Sequence, residues 1–135
     1  MKIKSLILLL ILVFLCSCKM QKGQFAFQTP LDKSFKINQA RMEFDSSWDV
    51  KWMYKFTPVA KEVKLGILIM KKELGWIDVL SMPESINETK TIIYGSIKDF
   101  EPGDYKIVIT VITEDETIIL DECYFYLYSD EETLD

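Results

Sequence analysis

From Trp48 to Phe56 the chain alternates residue by residue: Trp48, Val50, Trp52, Tyr54 and Phe56 fall on one parity, and Asp49, Lys51, Met53 and Lys55 on the other. Successive side chains of a strand point to opposite faces of a sheet, so this pattern requires a strand with one face buried and one wet. A helix repeats near 3.6 residues and would scatter the same five apolar side chains around its circumference. Further strands are predicted over 35–37, 41–44, 63–70, 76–80, 90–97, 105–113 and 117–128, all rich in β-branched and aromatic residues. Turn chemistry separates them at Asp45-Ser46-Ser47, Thr57-Pro58, 71–75, Met82-Pro83-Glu84-Ser85, Glu101-Pro102-Gly103 and Glu114-Asp115-Glu116. No stretch sustains a helical period beyond about two turns. Seven or eight short strands in about 100 residues predict an all-β fold, a single antiparallel β-sandwich.

The segment Phe100-Glu101-Pro102-Gly103-Asp104-Tyr105-Lys106-Ile107-Val108-Ile109 resembles the approach to the penultimate strand of immunoglobulin-like and fibronectin type III domains. There an apolar residue, a Pro-Gly turn and a tyrosine precede an alternating strand. The resemblance implies an immunoglobulin-like sandwich in which the Tyr105 hydroxyl bonds back to nearby backbone as a structural tyrosine corner. It covers those ten residues and, in outline, the hairpin that follows; the paired cysteines of antibody domains are missing. A fold shared this widely implies no activity.

The first residues read differently. Lys2 and Lys4 precede an unbroken apolar run from Leu6 to Leu15, followed by Cys16, Ser17 and Cys18. A basic start, a short apolar stretch and a small residue make a signal-peptide layout. The run is too short for a spanning helix, which needs about 18–20 apolar residues. Leu15-Cys16-Ser17-Cys18 resembles the lipobox of bacterial lipoprotein precursors, with Leu15 at −3 and Ser17 at −1 of Cys18. The resemblance implies cleavage between Ser17 and Cys18, and lipidation of Cys18 by a diacylglycerol thioether and often a third, amide-linked chain. At about 0.8 kcal/mol per buried CH₂, two or three chains hold a protein durably on a bilayer. Lys19 after the cysteine, rather than Asp, resembles the pattern that permits outer-membrane sorting in enteric bacteria. The organisation expected is a signal peptide at 1–17, a lipidated cysteine and short tether at 18–24, the sandwich at 25–128 and an acidic tail at 129–135. Residues 19–24 reach about 20 Å when extended, so the domain is expected close to the membrane.

Composition narrows the chemistry. Removing residues 1–17 from the 135 leaves 118, enough for one core. The leader holds two of the 16 Lys and Arg and none of the 21 Asp and Glu, leaving 14 against 21, net −7. Such a surface repels phosphate backbones, and no basic stripe interrupts it, so no nucleic-acid partner is expected. The chain has no histidine, which removes the commonest general base, the Ser-His and Cys-His nucleophile pairs and most transition-metal sites. Catalysis, metal and cofactor are therefore not expected. With Cys16 cut away and Cys18 lipidated, Cys123 is the one thiol of the mature chain, and it reads as a packed core residue.

Two surfaces invite a binding reading. Trp48 and Trp52 share a face opposite charged residues, which makes that face the core rather than a sugar platform; Trp76 and Tyr94 lie elsewhere. In the last strand Cys123, Phe125 and Leu127 can face the core while Tyr124, Tyr126 and Tyr128 project together from the other side. That stripe is either an interaction surface of rigid amphipathic area or an internal strand rich in tyrosine for its β-propensity. A bulge at Asp121-Glu122 would exchange the two faces. The clustered acids at 114–116, 121–122 and 130–132 lack a calcium-loop spacing, so they read as solvated turns and tail. The expected function is that of a lipid-anchored envelope lipoprotein acting as a non-catalytic binding or assembly module, with another protein as partner, in the periplasm at the outer membrane. The alternatives are a surface-exposed adhesin or host-ligand binder and, more remotely, a hydrolase built on two converging carboxylates.

Overall fold

The computed structural model describes residues 20–37 and 41–130. Among them lie nine strands: β1 (Gln24–Gln28), β2 (Lys36–Ile37), β3 (Met42–Asp45), β4 (Val50–Lys55), β5 (Val63–Lys72), β6 (Trp76–Ile86), β7 (Ile92–Ile97), β8 (Gly103–Ile112) and β9 (Thr117–Tyr128). They form two sheets, ordered β2-β1-β4-β7 and β3-β9-β8-β5-β6. The β-sandwich read from periodicity is thus the fold, though it departs from that reading in several details. Phe25, Ala26 and Phe27 are buried in succession, so β1 lacks the alternation that marks a strand in sequence. In addition, β3 runs parallel to β9, pairing Met42 with Phe125 and Asp45 with Tyr128, so the larger sheet is mixed rather than antiparallel.

The core follows the parity of β4. Val50, Trp52, Tyr54 and Phe56 are buried against Leu65, Ile67 and Ile69 of β5, Ile107 and Ile109 of β8, and Cys123, Phe125 and Leu127 of β9, with Trp48 partly buried at its margin. Gly95 of β7 stands directly opposite Trp52, and a Cβ there would overlap the indole ring. The absent side chain is what admits a tryptophan to that layer. Tyr54 links the sheets by donating its hydroxyl to Asp121 of β9 at 2.9 Å. The end of β4 therefore lies over the start of β9, which fixes an N-terminal pole. There β1, β5, β7 and β9 begin, and β4, β6 and β8 end.

The break expected at Met82-Pro83-Glu84-Ser85 is not one: β6 continues through it to Ile86, with Pro83 opposite Gly66. Because β6 pairs only with β5, it is an edge strand, where a residue without an N–H disturbs no second ladder. The bulge expected at Asp121-Glu122 falls at Leu120, where the β8–β9 register slips between Ile109 and Thr110. The faces downstream are as the alternation requires. Cys123, Phe125 and Leu127 point inward; Tyr124 is exposed, and Tyr126 and Tyr128 are half-buried on the outer face.

Candidate functional site

The outer face of the five-stranded sheet gathers cations and aromatic rings at the end opposite the N-terminal pole. Lys106 of β8 is paired in register with Met70 and Tyr124, and Trp76 at the start of β6 pairs with Lys72. The Lys106 ammonium sits 4.7 Å from the centre of the Trp76 ring and 5.8 Å from that of Tyr124. The two rings meet edge to face at 5.9 Å. Packing between them leaves the Lys106 side chain 13% exposed. Such a cation is held by the ring quadrupoles at about 0.5–1 kcal/mol where water still reaches, and more where it does not.

Glu122 closes the group. One carboxylate oxygen lies 3.4 Å from the Lys106 ammonium, and the other accepts the Tyr124 hydroxyl at 3.0 Å. That bond, and the negative charge behind it, push the Tyr124 phenol above its usual range. On the far side Arg41 pairs with Asp104 at 2.6 Å and stacks its guanidinium over Tyr126 at 5.4 Å. Between the two groups runs an open groove of about 410 Å³ bordered by Arg41, Lys72, Trp76, Asp104 and Tyr124.

Two of the three tyrosines of the expected stripe, Tyr124 and Tyr126, thus belong to this surface. Tyr128 stands at its margin, where its carbonyl accepts the Ser46 amide at 2.8 Å. Trp76, which sequence placed elsewhere, is the partner of Tyr124. Tyr94 is on the other sheet, near Phe35. The signal for Trp76 was its position beside a Gly turn at the start of a strand, but nothing local ties residue 76 to residue 124.

Tyr105 is buried beneath this face, stacked between Phe100 and Phe125 at 5.6 and 5.3 Å. Its hydroxyl donates to the Glu101 carbonyl at 2.5 Å, and burial raises its phenol above the usual value. That is the back-bond described for a tyrosine corner. Ser17 and Cys18, the expected cleavage and lipidation positions, lie outside the described residues.

Among the described residues no cluster of three or more His, Cys, Asp or Glu side chains could hold a metal ion. Two carboxylates do converge at Asp45 and Asp130, where the hydrogen bond and charge of Asp45 raise Asp130. Asp45, however, accepts the Ser47 amide and hydroxyl at 2.9 and 2.8 Å, which caps the turn into β4 and holds its carboxyl below the usual range. Neither acid borders the groove.

No protein-family model and no curated protein matches the chain. A solved structure does. The soluble domain of PmoD from Methylocystis sp. ATCC 49242 (Rockwell) superposes with a TM-score of 0.57 at 14% identity, covering 83% of this chain and 98% of that one. The likeness is one of fold. No helix among the described residues is long and apolar enough to cross a membrane.

Proposed function

We propose that the chain is a lipid-anchored bacterial envelope lipoprotein whose immunoglobulin-like sandwich is a non-catalytic module that binds or assembles with another protein in the periplasm. The observation that carries this reading is the Trp76–Lys106–Tyr124 cluster. Its aromatic area lies on the solvent face of a sheet whose core is already complete on the other side. Rigid aromatic rings flanked by arginine are what protein interfaces enrich, and the charged groups bordering the groove supply a polar rim.

The lipobox-like Leu15-Cys16-Ser17-Cys18 supports the anchor. Two features support the immunoglobulin-like assignment. The order β9-β8-β5-β6 follows the G-F-C-C′ order of a variable-type sheet, with β1-β4-β7 as its A-B-E counterpart. The Tyr105 back-bond to Glu101 is the second.

The test replaces Tyr124 by a photo-crosslinking residue in the full-length protein in its own cells. A discrete crosslink to an envelope protein, lost on Trp76→Ala, is expected; the absence of any discrete adduct in cells that retain the folded protein would refute the binding reading. Digestion of intact cells with an impermeant protease tests the compartment. Protection that ends on lysis is expected, and cleavage on intact cells would assign the protein to the surface-exposed class instead.

A further inference from the structure

The N-terminal pole leaves almost no slack between the domain and Cys18. Of residues 19–24, which sequence alone reads as a free tether of about 20 Å, those described, 20–24, are fastened to the sandwich at Met20 and Gly23. Met20 packs against the core. Gly23 donates its amide to the Tyr54 hydroxyl at 2.6 Å, and it lies so close to the end of β4 that a Cβ would overlap the Lys55 carbonyl oxygen. Only two peptide steps separate Cys18 from Met20, a reach of at most about 7 Å. The headgroup region on each side of a bilayer is about 5–8 Å deep. A cysteine lipidated at the level of the glycerol backbone therefore brings this end of the sandwich into the headgroups.

The same pole exposes apolar area. Ile112, Ile118 and Ile119, beside the β8–β9 turn, are 43%, 48% and 59% exposed. Ile118 is opposite Val111 and so belongs to the inward face by register; its exposure means that the hairpin outruns the four-stranded sheet. A groove of about 520 Å³ opens there, with Val63, Val111 and Ile112 on its apolar side and Glu62, Lys64 and Glu114 at its polar border. The turn itself, Glu114-Asp115-Glu116, is acidic, so attraction to anionic lipid does not drive this contact.

We propose that the N-terminal pole is a lipid-contacting surface: the β8–β9 hairpin with Ile112, Ile118 and Ile119 rests in the headgroup layer, and the sandwich stands upright on it. The proposal rests on the lipoprotein reading above. Its consequence for function is orientation. Tyr124 lies seven residues along β9 from Thr117, about 23 Å at strand rise, so the cation–aromatic face is presented away from the anchoring bilayer, toward partners across the aqueous space.

The test uses the full-length lipidated protein purified from membranes and placed in phosphatidylcholine vesicles that carry a headgroup nitroxide. A fluorophore is attached at Ile118→Cys or, as control, at Leu74→Cys, a fully exposed position in the β5–β6 turn at the far pole. Cys123 is buried and stays unlabelled. Ile119→Cys supplies a second site if the first variant does not fold. Quenching several-fold stronger at 118 or 119 than at 74, and unchanged in high salt, is the expected result. Equal quenching at the two poles, with Cys18 shown by intact mass to carry lipid, overturns the proposal while leaving the lipoprotein reading intact. An intact mass without lipid on Cys18 overturns both.

Discussion

Tyr54 and Asp121 join the two sheets through a hydrogen bond of 2.9 Å, and the same phenol oxygen accepts the Gly23 amide at 2.6 Å. One side chain of β4 thus fastens the N-terminal segment to β9. Tyr54→Phe keeps the ring and its edge contacts with Phe25 and Phe56 but leaves a carboxylate and an amide short of a partner. The expected cost is about 1–3 kcal/mol, read as a lower urea midpoint.

The same residue sets an alkaline limit. Burial, with Asp121 adding to it, pushes the Tyr54 phenol well above its usual value, whereas the unfolded chain titrates near about 10. A value raised in the folded state means that the unfolded chain releases its proton first. The contribution is therefore complete below about pH 10 and is lost as pH rises beyond it. Urea midpoints from neutral pH upward should fall more steeply above pH 10 in the parent than in Tyr54→Phe; parallel slopes would show that the phenol titrates as it does unfolded.

Gly95→Ala sets a methyl group inside the Trp52 ring. Trp52 is fully buried, so the ring has nowhere to turn and the strands must part. Overpacking of this kind costs about 1–3 kcal/mol. Denaturation should show a lowered midpoint with an unchanged m-value; an unaltered midpoint would mean that the two strands separate freely at this layer.

These sites show where sequence speaks and where it is silent. The strand through Trp52 and Tyr54 is legible because one face packs against the opposite sheet, so burial imprints a period of two on the chain. β1 is not, because Ala26 is buried on the side away from Phe25 and Phe27, and a strand covered on both faces has no period. The continuation of β6 through Pro83 was hidden because proline breaks a strand only where its N–H is needed, and edge position is a property of the whole sheet. The parallel pairing of β3 with β9 and the meeting of Trp76 with Tyr124 join segments far apart in the chain, and local pattern carries neither direction nor partner. Tyr105 was legible through the Pro-Gly turn before it, a local feature.

Glu122→Gln tests the electrostatics of the candidate face. The carboxylate that accepts the Tyr124 hydroxyl raises that phenol, and a neutral amide in its place removes the charge while keeping an acceptor. The Tyr124 phenol, followed by tyrosinate absorbance against a Tyr124→Phe blank, should titrate at lower pH in Glu122→Gln than in the parent. An unmoved titration would mean that the Tyr124–Glu122 bond does not persist in solution.

Whether the Trp76–Lys106–Tyr124 group is a rigid surface or a chance meeting of long side chains can be settled by a double-mutant cycle. Lys106→Met keeps the aliphatic stem between the rings and removes the charge; Trp76→Phe keeps an aromatic face with a weaker quadrupole. If the ammonium is held at 4.7 Å over the indole, the two substitutions report on one interaction and their costs are not additive. The coupling should come to about 0.5–1 kcal/mol. A surface pair free to swing apart gains little from such a contact, because ordering a lysine offsets most of the attraction. Zero coupling in urea unfolding of the four proteins would therefore describe a mobile face that a partner must order at a cost in affinity, whereas the expected coupling describes one already set for binding.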